Sequence, residues 1–228
     1  MPTAIVSYDG TLNDEDALGL ATVLGEAGLD LVLAYVRHSK VSERSREELE
    51  EHEAEELLER GARWLGDLEV ERRVVVHAST GEGLRTLAEH TDADLIVFGS
   101  DYRTPAGHVV PQASAQRLLE GGHTSLAIAP AGYAATREHE IRNLGLLAGL
   151  DDHAAIDTAH ALASHFDAQV TGAVHGVDLL IVGSRPEAGE GQVLVSAQAQ
   201  NAIENASCPV LVVARGVPVY FRSSLYVS

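Results

Sequence analysis

The residues of this chain best suited to chemistry stand where an apolar run breaks into Gly-Ser. Val97-Phe98-Gly99-Ser100 does so once, and Ile181-Val182-Gly183-Ser184 does so again. A run ending in this way reads as a buried strand opening into a loop, and α/β sheets bind ligands at the carboxyl ends of such strands. Twenty-seven residues after each glycine a second apolar run begins, Leu126-Ala127-Ile128-Ala129 and Val210-Leu211-Val212-Val213. Equal offsets with a matching pattern mark an internal repeat, so the chain reads as two related units.

The residues argue against other chemistries. Of 11 histidines, His153 and His160 could share a helix face, while His165 falls off it. Without a His-x3-His pair or a Glu–His cluster these read as surface or packing residues, and no metal site is expected. Gly81-Glu82-Gly83 begins like a dinucleotide loop, but Thr86 stands where the last glycine belongs, so it reads as a strand-to-helix turn. No Gly-x4-Gly-Lys-Ser/Thr loop occurs and Lys40 is the only lysine, which argues against a P-loop hydrolase. Neither a Gly-x-Ser-x-Gly elbow nor a Cys–His motif is found. Cys208, just before a buried strand, reads as packed and inert.

The elements that must position the two Gly-Ser loops alternate along the chain. Ala4 to Tyr8 is a short strand. Asn13-Asp14-Glu15-Asp16 opens a helix, its acids suited to the positive end of the helix dipole. Ala17, Leu18, Ala21, Leu24 and Gly25 form its apolar stripe, and Gly28 ends it. Leu29 to Val36 is a strand buried on both faces. Ser42 to Leu65 reads as a solvated outer helix, with Leu49, Leu57, Leu58, Ala62 and Leu65 on one stripe and nine glutamates from Glu43 to Glu59 mostly elsewhere. Strands at Val70–His77, Asp94–Phe98 and Leu126–Ala129 alternate with helices at Gly81–His90 and Ala113–Leu119. The polar stretch Ala131–Asn143 reads as a linker. Beyond it come a strand from Leu144 to Leu150, a helix from Ala154 to His165, and strands at Gln169–His175, Val177–Val182 and Val210–Val213. This alternation predicts parallel sheets with helices on both sides. Asp9 stands 90 residues before Gly99 but Asp151 only 32 before Gly183, so the second unit lacks 58 residues. That is about a helix, a strand and a helix, and the unit must lean on the first for its core.

Composition narrows the function classes. The 228 residues are 45% hydrophobic, enough to build a proper core. A single cysteine allows no internal disulfide, which fits a reducing compartment. No apolar run approaches the ~20 residues of a membrane span, and Met1-Pro2-Thr3-Ala4-Ile5-Val6 lacks a basic n-region. A cytoplasmic location is therefore expected. The formal charge of −18, from 34 acids and 16 bases, repels nucleic acid and anionic membranes and reads as a solubility charge.

Three features, in order, make the chain resemble the universal stress protein family in its tandem two-domain form, up to Arg215. Asp9-Gly10-Thr11 is similar to the family's Asp-Gly-Ser. Asp94-Leu95-Ile96-Val97-Phe98-Gly99-Ser100 is similar to its Asp-Leu-Ile-Val-x-Gly-Ser, and Cys208-Pro209-Val210-Leu211-Val212-Val213 to its closing strand. The resemblance implies an α/β fold of the adenine-nucleotide α-hydrolase type, with five strands in the first unit and about three in the second. It implies an intrachain pseudo-dimer in which Leu126–Ala129 pairs with Val210–Val213. The family divides into members that bind ATP and members that do not, and the binders resemble one another in a Gly-x2-Gly-x9-Gly-Ser/Thr loop. Such glycines let backbone N–H groups approach phosphates, and the following helix N-terminus favours the anion. Here Gly99 stands, but Tyr102, Gln112 and Ala113 fill the later positions, with Ser114 one residue late as an alternative hydroxyl. In the second unit Gly183 stands, but Pro186, Ser196 and Ala197 follow, and a proline offers no N–H. Asp9 is either an adenine or ribose contact, as the family motif implies, or a helix N-cap. Asp151 and Asp152 read as caps.

These readings divide the chain into a complete unit (1–133), a linker (134–143), a truncated unit (144–216) and a tail (217–228). The tail, with Tyr220, Phe221 and Tyr226, either packs back on the sheet or forms a partner surface. The expected function is a cytoplasmic, non-catalytic stress-response binding or regulatory protein whose ATP loop is degenerate in both repeats. The alternative is an adenine-nucleotide binder, or a slow ATPase with Arg103 as the nearby cation. ATP or AMP would then sit in the first unit near Asp9, Val36, Gly99, Ser100 and Ser114. No cofactor is expected otherwise. A protein partner or a homo-oligomer is expected, rather than nucleic acid or a membrane.

Overall fold

Apolar strands joined by amphipathic helices bury both faces of a sheet, and the computed structural model builds one such sheet from the whole chain. It describes residues 2–221 except 12, 39–43, 68, 137 and 138. The expected helix start at Ser42, Lys40, Glu43, the side chain of Leu49 and the tail end with Tyr226 lie outside the described residues. The first unit runs β1 (Thr3–Ser7), α1 (Asp14–Glu26), β2 (Asp30–Arg37), α2 (Arg44–Leu65), β3 (Glu71–Val76), α3 (Thr80–Thr91), β4 (Leu95–Gly99), α4 (Ala113–Leu119) and β5 (Ser125–Ala129). The second runs β6 (Asn143–Leu147), α5 (His153–Phe166), β7 (Gln169–Thr171), β8 (Leu179–Val182), α6 (Ala197–Glu204) and β9 (Val210–Val212). Their order is β3-β2-β1-β4-β5-β9-β8-β6-β7. Every pairing is parallel except that of β5 with β9, where Leu126 faces Val212 and Ile128 faces Val210. The two closing strands thus meet as the resemblance implied, and they fuse the units into one sheet.

Alternation along each strand feeds two core layers. Val6, Leu95 and Val97 pack with Leu18, Leu24 and Leu58 under α1 and α2, and Leu162 of α5 continues that layer. Ile5, Ile96 and Phe98 pack with Leu84 and Leu119 under α3 and α4, and Ile203 of α6 continues the other. Because both faces are covered, β4 and β5 are buried along their whole length, which is why they read as unbroken apolar runs.

The second unit has the four strands that its apolar pattern marks, one more than the resemblance implied, and β6 and β7 are shorter than that pattern suggested. The reason lies at Gly145, which occupies the place of Ile5: Ile5 is in register with Ile96, and Gly145 with Leu180. In the first unit Ile5 packs in the layer that α3 closes. Here that helix is among the lost residues, and the chain itself turns across the sheet. A Cβ at Gly145 would strike the carbonyl of Ala173, and Val177 is buried against the same face. A strand running to His175 would leave that face open to water.

The polar stretch between the units holds a 3₁₀ turn, Tyr133–Ala135, docked on α1. The buried carboxylate of Asp16 accepts the N–H groups of Gly132 (2.8 Å) and Ala134 (2.7 Å). The start of the tail docks on α5 in a similar way, where Val219 N–H donates to Thr158 Oγ1 (3.0 Å). The described part of the tail therefore packs back, though Tyr220 stays exposed. Among the described residues no helix is long and apolar enough to cross a membrane.

Candidate functional site

Strand order reverses at β1, whose neighbours β2 and β4 lead in opposite directions, and a crevice opens at their carboxyl ends. This crevice is a cavity of about 390 Å³. Asp9 and Thr11 line it from the loop after β1, His38 from the end of β2, Ser79 and Thr80 from the start of α3, and Ser114 and Arg117 from α4. Arg117 Nη1 lies 3.4 Å from Ser79 Oγ. A second hollow of about 460 Å³ shares Asp9 and His38 and continues toward α2.

Of the five residues expected near a nucleotide, Asp9 and Ser114 lie on the cavity wall. Val36 is buried with Leu84 in the layer beneath α3. Gly99 lies under the loop that enters α1, where an added Cβ would strike the carbonyl of Asn13. Ser100 is fully buried; its hydroxyl donates to Ala129 O (2.7 Å) and accepts from Val110 N–H (3.3 Å). The second unit repeats this at Ser184, which donates to Val213 O (2.7 Å) and accepts from Leu194 N–H (3.4 Å).

The N-cap reading of Asp9 is corrected. Asn13 holds the cap position of α1, its side chain reaching the Asp101 carbonyl (2.7 Å) instead of the helix. Asp9 makes a local turn, Oδ1 accepting from Thr11 N–H (3.0 Å). Asp152 does cap α5, accepting from Ala155 N–H (3.3 Å), while Asp151 pairs with Arg215 (2.7 Å). The hydrogen bond to Arg215 lowers the pKa of Asp151, whereas burial raises that of Asp152 against the pull of Ala155 N–H and Arg215.

The loop after β4 spends its donors on the protein. The N–H groups of Asp101 (to Val110 O, 2.8 Å), Arg103 (to Asp101 Oδ1, 3.0 Å), Thr104 (to Asp101 O, 2.9 Å) and Gly107 (to Ala131 O, 2.7 Å) all have internal acceptors. The loop after β8 repeats the frame at the same offset: Arg185 donates to Leu194 O (2.8 Å) and Gly191 to Arg215 O (2.7 Å). Each loop also clasps the other unit. Val109 N–H donates to Ala206 O (3.3 Å) and Val193 N–H to Gly122 O (2.7 Å), as in a two-fold interface, and both valines are fully buried.

The sequence profile of the universal stress protein family matches residues 1–130 and 173–214, well over half of the chain. The chain belongs to the universal stress protein family. Its fold is similar to that of a universal stress protein from Archaeoglobus fulgidus (TM-score 0.70, 12% identity, 94% of this chain and 98% of that one). It is also similar to a functionally unknown protein from Pseudomonas aeruginosa (TM-score 0.61, 13% identity, 94% and 93%). No curated protein sequence matches the chain. The gap in the family match, 131–172, spans the linker and the remodelled start of the second unit, where β6 and β7 depart from the first unit's pattern.

Against that family background, several residues of the crevice carry no advance signal. His38, Ser79, Thr80 and Arg117 come from three separate elements, and the Gly-Ser motif directs attention to the loop alone. Asp14 reads as an ordinary first-turn acid, yet it is 2% exposed and its carboxylate accepts the N–H groups of Asp9 and Thr11. Burial, then the hydrogen bond and negative charge of Asp9, push its pKa up to about 7. Burial and the charge of Asp178 push the Cys208 thiol up to about 11, so it stays protonated at neutral pH and lacks thiolate reactivity. The second unit has its own crevice of about 400 Å³, lined by Gly149, Arg185, Pro186, Glu187, Ser196 and Gln198.

Proposed function

We propose that this universal stress protein is a non-catalytic binding protein of the stress response, whose phosphate loops have become parts of the joint between its two units. The supporting observation is the loop hydrogen bonding. A triphosphate is held by backbone N–H groups turned outward, and here the N–H groups of Asp101, Arg103, Thr104, Gly107 and Val109 are turned inward or across to the other unit. Turnover would also need a cation poised on phosphate. Arg103, the cation of the β4 loop itself, lies over the ring of Tyr102, 4.8 Å from its centroid. Isothermal titration with ATP and Mg²⁺ tests the proposal. No saturable heat up to millimolar ligand is expected, and one-site binding in the micromolar range would overturn it.

A second reading, AMP in the first crevice, has one observation in its favour. Arg117 and the hydroxyls of Ser79, Thr80 and Ser114 gather on one cavity wall, a set suited to a single phosphate. AMP should then bind while ATP does not, and Arg117→Ala should weaken AMP about tenfold or more. Equal affinity in wild type and variant would remove this reading.

A further inference from the structure

β3 is the end strand of the sheet, and among the described residues no segment pairs with its outer side. Its register with β2 sets Arg37 against Val76, and His77 N–H donates to Arg37 O (3.1 Å). In a parallel ladder alternate residues turn both backbone groups to the neighbour. Val75 and His77 therefore face β2, while Arg72, Val74 and Val76 turn their N–H and C=O groups outward. Such edges are commonly blunted by charge. Arg72 and Arg73 do this at the start of β3, with Arg73 paired to Glu71 (2.6 Å), but the strand ends in Val76, which is 51% exposed. Beside the edge runs a groove of about 550 Å³, walled on the α2 side by Glu51, Glu55, Glu56 and Glu59 and on the strand side by Arg72, Arg73 and Val74, so its acidic groups outnumber its arginines by four to two.

We propose that this edge receives an extended basic peptide from a partner protein as an added strand. The peptide backbone bonds Arg72, Val74 and Val76, its apolar side chains cover Val76, and its lysines or arginines meet the glutamates of α2. Main-chain pairing supplies the affinity in this mode and the flanking side chains supply the selectivity. A second copy of the chain fits less well. Two β3 edges paired about Val74 would bring two acidic α2 helices together, in a protein that already carries −18.

The test uses the full chain and a capped synthetic decapeptide whose alternate residues on the α2 side are lysines, with one valine among them set over Val76, followed by fluorescence polarisation at low and moderate salt. Saturable binding that weakens with salt is expected. Val76→Pro removes only an outward donor and is tolerable at an edge, and it should weaken binding about tenfold or more. Glu55→Lys combined with Glu59→Lys should do the same. On the wild-type protein, amide exchange at Arg72, Val74 and Val76 should slow when peptide is added, a readout independent of whether the variants fold. No saturation at millimolar peptide, or unchanged exchange at those three amides, would overturn the proposal. So would full affinity in a folded Val76→Pro variant, or a dimer in which this edge is already occupied by a second copy.

Discussion

Replacing Asp14 by asparagine should turn a pH-dependent protein into a less dependent one. Asp14 is buried under the loop it organises, and the charge that acts on it is that of Asp9, which also hydrogen-bonds to it. Its pKa rises from the ordinary 3.8 to about 7. At 1.36 kcal/mol per pH unit that difference amounts to ~4 kcal/mol. The folded state holds the proton more tightly than the unfolded chain does. Below about pH 4 both states are protonated and the effect is absent. Between about pH 4 and 7 the unfolded chain ionises first, so folding stability falls, and above about 7 the whole loss is present. Asparagine keeps an acceptor for the N–H groups of Asp9 and Thr11 but cannot ionise. The stability of Asp14→Asn minus that of wild type should therefore rise by as much as ~4 kcal/mol from pH 4 to pH 8. Urea unfolding of both proteins across that range measures it, since carboxylates not in contact with Asp14 cancel in the difference. A difference that stays flat with pH would refute the assignment of a buried, proton-holding Asp14.

The repeated serines should behave alike. Ser100→Ala and Ser184→Ala each strand a buried carbonyl and a backbone N–H, at a cost of about 1–3 kcal/mol. A loss below about 0.5 kcal/mol in urea unfolding would contradict their structural role. Gly99→Ala should cost ~1–3 kcal/mol, because the new methyl meets the Asn13 carbonyl, a backbone atom that cannot swing aside. Gly172→Ala, with open space around its Cβ position, should stay within about 0.5 kcal/mol of wild type. Equal costs at the two glycines would show that close approach is not what Gly99 serves.

Much of the architecture was legible because it is written in local pattern. A strand buried on both faces must be apolar throughout, so Leu95–Phe98, Leu126–Ala129 and Val210–Val212 could be recognised without coordinates, and the equal spacing of the two Gly-Ser motifs exposed the repeat. The limits of the second unit were less legible. Gln169–Thr171 is short and only half-buried, and the turn that replaces α3 depends on a single glycine at 145 meeting a carbonyl at Ala173. The candidate site was the least legible part. Nothing near Ser100 in sequence says that its hydroxyl belongs to Ala129, and nothing near Val109 says that its N–H belongs to Ala206.

By itself, then, the sequence determined the alternating α/β units, their order, the loss within the second and the pairing of the closing strands. The first three follow from apolar periodicity and spacing, which neighbouring residues express, while the pairing came only as what the resemblance to the family implied. Tertiary structure alone decided which donors remained free, which carboxyl was buried and which side chains shared a crevice. Hydrogen-bond satisfaction and desolvation depend on groups that packing brings together from distant segments.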